Sequence, residues 1–288
     1  MTDAVVGIIG GSGLYEMQGL RVLYERSVET PFGDPSDPYV IGEVDGIQVA
    51  FLSRHGRGHR RLPGELNYRA NIFGFKVLGV HTILSASAVG SMKEAYAPTD
   101  ILFPDQFIDR TRLRADTFFG NGIVGHITFA DPICAAVSFL MSAVAREAGA
   151  RVHEGGTYVC IEGPQFSTRA ESKLYRSWGV DVIGMTNLQE AKLSREAEIC
   201  YSPMALITDY DCWHESEQAV SVEQIMGYLR ANAEMAQTIL RAAIPGVAAR
   251  TRDCGCHNAL QYAIVTDPSQ IPPKVKSDLA PIIGRYVK

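Results

Sequence analysis

Two carboxylates close one of the most apolar runs of this sequence. The run Met204–Ile207 leads into Thr208-Asp-Tyr-Asp-Cys-Trp213, so that Asp209 and Asp211 stand two residues apart. Carboxylates at this spacing can ligate a metal, act as general acid and base, or accept N–H groups from a heterocyclic base. A shared pocket can also keep one of the two protonated. Solvated turn acids are the structural alternative.

A second set of residues offers hydrogen-bond donors to a small anion. Ser53-Arg-His-Gly-Arg-Gly-His59 places Arg54 and His55 in a glycine-rich loop after an apolar run. The planar guanidinium fork matches the oxygens of a phosphate. Ser12 lies in the loop Gly10-Gly-Ser-Gly13, where backbone N–H groups can approach an anion closely. A solvated basic loop and an ordinary tight turn are the alternatives.

Three further apolar runs end in small, hydroxyl-bearing or aromatic residues. They contribute Ser87 and Ala88, Phe166 and Ser167, and Met185 with Thr186. Phe166 offers a stacking platform for a planar ligand, although core packing is the more usual role of such a residue. Because α/β proteins bind ligands at the carboxyl edge of the sheet, we expect these ends to form one site.

The elements that must position these residues alternate between strands and helices. Strands are predicted at Val5–Ile9, Tyr39–Val44, Ile47–Ser53, Thr82–Ser87, Thr157–Ile161, Val180–Met185 and Met204–Thr208. Helices are predicted at Leu66–Leu78, from the N-cap Asp131 to Gly149, at Thr168–Trp178, at Gln189–Ile199, and from Ser221 to before Pro245. Asp45-Gly46 predicts a hairpin, so the sheet is not purely parallel.

This alternation predicts an α/β fold with one domain, a mixed twisted sheet flanked by helices. We expect residues 1–250 to form the domain and residues 251–288 a tail packed on or near it. The net charge of −5 disfavours nucleic-acid binding. No stretch approaches the about 18 apolar residues of a membrane span. The N-terminus lacks signal-peptide features, and six scattered cysteines favour a reducing, cytoplasmic location.

Eight motifs occur in an order that resembles a known family. They are GIIGGSGLY, SRHGRGH, LPGELNYRANI, VGSMKE, DQFIDRT, IEGPQFSTRAES, GMTN and ITDYDCW, and they span about residues 5–245. Together they resemble the trimeric purine nucleoside phosphorylase family and, within it, the 5′-methylthioadenosine phosphorylases. Two departures are Gln165, where some members have Arg, and Ser87, where some have Thr.

The resemblance implies phosphorolysis, in which orthophosphate attacks the anomeric carbon of a nucleoside and releases the base and a sugar 1-phosphate. Phosphate is then a co-substrate, and no cofactor is expected. The implied phosphate contacts are Ser12, Arg54, His55, Ser87, Ala88 (through its backbone) and Thr186. The implied nucleoside contacts are Met185 at the ribose, Phe166 at the purine, Asp209 at N7, Asp211 and Ser167 at the base, and Val222 and a neighbouring subunit's His126 at the 5′ substituent. A homotrimer or a dimer of trimers is the implied assembly.

The identity of the base follows from hydrogen-bond polarity. An ionised carboxylate only accepts hydrogen bonds, so Asp209 suits the 6-amino group of adenine, whereas 6-oxopurine relatives usually carry asparagine there. Val222 suits a methylthio group better than a hydroxyl. The preferred substrate is 5′-methylthioadenosine, and a broader purine nucleoside or 5′-methylthioinosine phosphorylase is the alternative. The missing GxGxxG spacing disfavours a dinucleotide-binding protein.

Cys254-Gly-Cys256 in the tail is the one local pair of cysteines. With His257 it could ligate a metal if other groups joined it. A strained local disulfide is a second possibility, since some relatives from hot environments carry such a tail. Reduced thiols are the third and are favoured in a cytoplasm. The histidines have no zinc-ligand spacing among themselves, so no metal site is predicted.

Overall fold

The computed structural model describes residues 5–11, 14, 17–214 and 222–287, without the side chains of residues 222–226. The strands are β1 (Val6–Gly10), β2 (Arg21–Arg26), β3 (Tyr39–Val44), β4 (Ile47–Ser53), β5 (Thr82–Ser91), β6 (Ile101–Phe103), β7 (Gln106–Arg110), β8 (Val152–Glu154), β9 (Thr157–Ile161), β10 (Val182–Gly184) and β11 (Cys200–Asp209). The helices are α1 (Tyr68–Val77), α2 (Ala135–Glu147), α3 (Arg169–Ser177), α4 (Asn187–Glu196), α5 (Val222–Ala249), α6 (Pro273–Asp278) and α7 (Ala280–Ile283). None of the helices in these ranges is long and apolar enough to cross a membrane.

The described strands form one mixed sheet that branches at the long central strand β5. One row runs β2–β3–β4–β1–β5 and continues through β10, β9 and β7. Along its other edge β5 pairs in parallel with β11, which is followed by β6 and β8. The β3–β4 hairpin turns at Asp45-Gly46, where both residues have positive φ angles of 48° and 82° as a tight primed turn requires. The predicted α/β fold with a mixed sheet is confirmed.

Strand β5 changes partner part-way along one edge. β1 pairs with it as far as Ser85, and β10 pairs with it antiparallel at Gly90 and Ser91. From Ala86 to Val89 this edge has no strand partner in the described chain. The gap lies at the carboxyl end of β1, where α/β folds open a crevice for ligands.

Several helix boundaries differ from the sequence-based predictions, and two of them have a clear physical cause. Helix α2 begins after Cys134 rather than at Asp131, because the Cys134 backbone N–H donates to the Tyr201 carbonyl at 3.0 Å and keeps this residue extended beside β11. Helix α5 continues through Pro245, whose ring removes one hydrogen bond. Since Ile244 and Val247 are fully buried, packing of the apolar face maintains the helix across that point.

The tail after residue 250 packs into the main core. Leu260 and Ile282 are buried in the same apolar cluster as Ile9 of β1 and Phe75 of α1. The backbone of Val265 donates to the Val124 carbonyl at 3.0 Å and adds a polar link. The last described residues therefore help to enclose the first strand.

Candidate active site

The acid pair stands at the carboxyl end of β11. The carboxylate of Asp209 accepts hydrogen bonds from the Thr208 hydroxyl at 2.7 Å and from the Asp211 backbone N–H at 2.8 Å. Asp211 has a φ angle of +47°, which turns its N–H back toward Asp209. The Ser167 hydroxyl donates to Asp211 Oδ2 at 2.8 Å. The two carboxylates predicted to act together are thus held side by side.

The environment of Asp209 favours its protonated form. Burial raises the pKa of this carboxyl, and the charge of Asp211 adds to the rise. The hydrogen bonds from Thr208 and from the Asp211 N–H offset part of the shift. A carboxyl group with a raised pKa next to an open edge of the sheet is suited to give a proton to a ligand.

Gly90 connects this pair to the open edge of β5. A Cβ atom at position 90 would lie 3.0 Å from Asp209 Oδ1 and 3.4 Å from the Asp211 Cβ. The missing side chain leaves room for the carboxyl to approach the strand. The same edge carries Ser87 and Ala88, two of the predicted phosphate contacts.

Arg54 follows β4 and is buried, with most of its guanidinium engaged inside the protein. Its Nε and Nη2 donate to the two carboxylate oxygens of Glu190 at 2.5 and 3.2 Å. Nη1 donates to the Ala86 carbonyl at 2.9 Å, and Nη2 to the Ser85 hydroxyl at 2.6 Å. Of its five N–H groups, one on Nη1 has no acceptor among the described residues. The fork predicted to face phosphate therefore faces Glu190, and Arg54 offers a ligand one donor at most.

Glu190 is a site residue that sequence reasoning misses. It is fully buried in α4, and it also accepts hydrogen bonds from the hydroxyls of Ser85 at 2.9 Å and Tyr201 at 2.7 Å. Asn187 donates from its side-chain amide to the same two hydroxyls. Glu190 lies 136 positions from Arg54, in a charged segment that resembles a solvated helix face. A buried arginine needs a counter-charge, but the sequence around Arg54 does not indicate which residue supplies it.

His55 presents one ring nitrogen to its own loop. Nδ1 lies 2.8 Å from the Arg61 carbonyl, which can only accept, so Nδ1 carries the hydrogen. Burial lowers the pKa of His55 to about 4, and the positive charge of Arg54 acts in the same direction. The ring is therefore neutral near pH 7, with Nε2 as an acceptor. It stacks on the His59 ring at a centroid distance of 4.2 Å.

The amino end of α4 lies beside the open edge of β5. The Ser87 hydroxyl donates to the side-chain oxygen of Asn187, the first residue of α4, at 2.6 Å. Thr186 is the N-cap residue, yet its hydroxyl makes no capping hydrogen bond. Unpaired N–H groups and the helix dipole make such an end attractive to an anion. Ser87 therefore lies beside the residue that follows Thr186, and Ala88 is the next residue of β5.

Arg114 is a second residue that sequence reasoning misses. Its side chain is 1% exposed and joins the ends of two neighbouring strands. It donates to the Glu162 carboxylate at 3.0 Å and carbonyl at 2.6 Å after β9, and to the Met185 carbonyl after β10. It also donates to the Tyr68 hydroxyl at 3.1 Å. The segment Arg110–Arg114 contains three arginines at alternate positions, a pattern typical of exposed charge.

Two predicted site residues, Phe166 and His126, are not brought into this cluster, and two more fall outside the described residues. Phe166 is 84% exposed, although its neighbour Ser167 contacts Asp211. His126 is exposed, and its backbone N–H donates to the Ala263 carbonyl in the tail at 2.8 Å. Ser12 and the side chain of Val222 lie outside the described residues. The roles of these four stay predictions.

The sequence pattern of the phosphorylase superfamily matches residues 5–245. The chain belongs to the phosphorylase superfamily. Among curated members, the S-methyl-5′-thioadenosine phosphorylase of Geobacter sulfurreducens is 60% identical over 286 residues, which are 99% of this chain and 100% of that one. The protein of the same name from Koribacter versatilis is 56% identical over 284 residues, covering 99% and 97%.

Solved structures of superfamily members have the same fold. A methylthioadenosine phosphorylase from an antarctic soil metagenomic library superposes with a TM-score of 0.95 at 48% identity, covering 98% of this chain and 99% of that one. A variant adenosine/methylthioadenosine phosphorylase from Schistosoma mansoni, in complex with methylthioadenosine, gives a TM-score of 0.81 at 32% identity over 98% of each chain. The family resemblance predicted from the eight motifs is confirmed.

Proposed function

We propose that the protein catalyses the phosphorolysis of 5′-methylthioadenosine to adenine and 5-methylthioribose 1-phosphate. The observation that carries this proposal is Asp209, a buried carboxyl with a raised pKa beside an open strand edge rich in donors. The two curated relatives named for this substrate, 60% and 56% identical over almost the whole chain, support the choice of nucleoside. The protein is then a pentosyltransferase.

The phosphate side of the reaction uses the amino end of α4. An oxygen of orthophosphate forms a bond to C1′ while the bond from C1′ to N9 of the purine breaks. The hydroxyl of Thr186 and the first N–H groups of α4 hold the anion beneath the ribosyl ring, whose developing positive charge it stabilises. The Ser87 hydroxyl, which donates to Asn187 in this structure, turns toward the anion when it binds. Arg54 adds one N–H donor, and neutral His55 accepts a hydrogen bond from a protonated phosphate oxygen.

The base side of the reaction uses Asp209. The electron pair of the broken bond passes into the purine, and the Asp209 carboxyl gives its proton to N7. The 6-amino group donates to a carboxyl oxygen of the acid pair, whereas a 6-oxo group would meet acceptors there. Asp211, held by Ser167, fixes the backbone N–H that orients Asp209. Solvent returns the proton to Asp209 after adenine leaves.

A substrate panel tests the proposed function. We expect adenine release from 5′-methylthioadenosine that requires phosphate and exceeds the turnover of adenosine, inosine and 5′-methylthioinosine, measured by chromatography of the bases. Faster turnover of inosine or 5′-methylthioinosine would reject the assignment of the base. Equal release with and without phosphate would reject phosphorolysis itself.

The assembly, location and cofactor requirement belong to the same proposal. We propose a homotrimer in which a neighbouring subunit's His126 completes the 5′ side of each site, as the family resemblance implies. We further propose a cytoplasmic protein of purine and methionine salvage that needs no cofactor beyond its co-substrate phosphate. Light scattering of the purified protein tests the assembly, and a monomer at assay concentration would contradict it.

A further inference from the structure

Four cysteines from distant parts of the chain converge at the amino end of β11. Cys134 precedes α2, Cys200 begins β11, and Cys254 and Cys256 lie in the tail. Their Sγ atoms all lie within 4.8 Å of one another, and all but Cys254 are buried. The Sγ atom of Cys254 lies 3.3 Å from that of Cys200 and 3.8 Å from that of Cys134.

These distances match a metal coordination shell. Tetrahedral zinc with thiolate ligands has Zn–S bonds of about 2.3 Å, which place neighbouring sulfur atoms about 3.8 Å apart. All four cysteines are free thiols, at separations well above the about 2.05 Å of a disulfide bond. We propose that Cys134, Cys200, Cys254 and Cys256 bind one zinc ion. Each thiol gives its proton to solvent on coordination.

The surroundings compensate the charge of such a centre. Four thiolates around a divalent cation carry a net charge of −2. The Arg250 guanidinium lies 3.4 Å from Cys254 Sγ and 3.9 Å from Cys200 Sγ. Cys134 is also the N-cap residue of the 13-residue helix α2. A helix amino end and a nearby arginine are the features that stabilise protein thiolates.

The position of the cluster indicates a structural role. Four protein ligands leave no open coordination position for water or substrate. Cys200 and Asp209 stand at opposite ends of β11, about 30 Å apart at the usual rise of a strand. The ion would therefore join the tail to α2 and β11 without touching the proposed reaction. His257, considered in the sequence as a partner of the tail cysteines, is not in the group of four.

This inference revises the sequence-based expectation of free tail thiols and no metal ligands. The pair Cys254-Gly-Cys256 needs two further ligands, and the fold supplies them from positions more than 50 and more than 100 residues earlier. Only the tertiary structure brings these four positions together.

Metal analysis of the full chain tests the proposal. The protein is purified under reducing conditions, and zinc is measured by mass spectrometry of the elements. We expect about one zinc per chain, lost in the double variant Cys254→Ser/Cys256→Ser and retained in Cys212→Ser, which removes an exposed cysteine outside the cluster. Zinc content that is the same in both variants would overturn the proposal.

A second measurement does not depend on the folding of a variant. Wild-type protein stripped by a chelator in the presence of reductant is titrated with cobalt(II). We expect the charge-transfer and red d–d absorption bands of a tetrahedral cobalt thiolate centre, together with a higher melting temperature than the stripped protein. Reduced wild-type protein that binds neither zinc nor cobalt would overturn the proposal, whether its cysteines as isolated are free or joined in disulfides.

Discussion

At the scale of single residues, the proposed reaction assigns the proton transfer to Asp209. In Asp209→Asn the amide keeps the shape of the carboxyl but cannot give this proton, and its NH₂ group favours a 6-oxo acceptor. We expect kcat/KM for 5′-methylthioadenosine to fall by about 10²- to 10⁴-fold. The ratio of 5′-methylthioadenosine to 5′-methylthioinosine turnover should shift toward the latter in steady-state assays. An unchanged ratio would contradict the role of Asp209.

The same variant should differ in its pH profile. Because burial raises the pKa of Asp209, the wild type keeps the acid form to a higher pH than an exposed aspartate would. Activity should therefore fall as the pH rises through this raised pKa. Asparagine does not ionise in this range, so the descending limb should be absent from the profile of Asp209→Asn. If the descending limb of the pH–activity profile were the same in both proteins, a group other than Asp209 would be responsible for it.

The buried pair of Arg54 and Glu190 predicts a strong effect on stability. Glu190→Gln leaves a buried guanidinium without its counter-charge, which costs about 3–5 kcal/mol of unfolding free energy. The matched control is Glu43→Gln, which breaks the exposed pair with Arg21 at 2.9 Å and should cost less than about 1 kcal/mol. Urea denaturation measures both. Equal losses of unfolding free energy in the two variants would show that burial of the ion pair does not determine its contribution to stability.

The prediction from sequence of which side chains lie together works where the end of one strand suffices. Asp209 and Asp211 follow an apolar strand, and the fold indeed holds them against each other. It fails where a side chain needs a partner from far along the chain. Nothing in the sequence near Arg54 indicates that its guanidinium is paired with Glu190. From the sequence alone, Arg54 therefore resembles a side chain free to donate hydrogen bonds to phosphate.

At the scale of elements, the last turn of α4 carries a buried acid outside the site. Glu196 accepts hydrogen bonds from the Thr117 hydroxyl and the Phe118 backbone N–H, both at 2.7 Å. Burial nevertheless raises the pKa of Glu196 from 4.5 to about 7. A raised folded-state pKa contributes stability that is complete below the unfolded value and is lost as the pH rises through the folded value.

This linkage predicts how Glu196→Gln behaves. Between about pH 4 and pH 8 the wild type should lose on the order of 3 kcal/mol of unfolding free energy that the variant does not lose. Denaturant unfolding of both proteins at the two pH values measures the difference. A parallel pH dependence in wild type and variant would show that Glu196 does not titrate between these pH values.

The hairpin of β3 and β4 is predicted to the residue. The strands β3 and β4 and the turn between them lie where the sequence places them, because apolar runs flank a two-residue turn signal. Strand β2 is missed, since it lies mostly exposed on an edge of the sheet and its sequence RVLYER lacks the apolar–polar alternation of a half-buried strand. The backbone hydrogen bonds to β3, rather than burial of its side chains, define it.

At the scale of the whole molecule, the packing of the tail into the main core predicts that a substitution in the tail lowers the stability of the protein. Leu260→Ala removes a fully buried side chain from the main core and should cost about 2–5 kcal/mol of unfolding free energy. Tyr262→Ala, two residues away and 88% exposed, should change it by less than about 0.5 kcal/mol. Chemical denaturation compares them. A small loss in both variants would show that the tail is dispensable to the core.

The packing of the tail also sets an order of events during synthesis. Strand β1 leaves the ribosome about 250 residues before Leu260 and Ile282, which lie in the same apolar cluster as Ile9. A nascent chain that has released only the early strands must keep this apolar face uncovered until those two residues follow. Such an intermediate is a substrate for chaperones and is prone to aggregate. Ribosomes that stall before Leu260 is translated would therefore display a chain that has not closed this core.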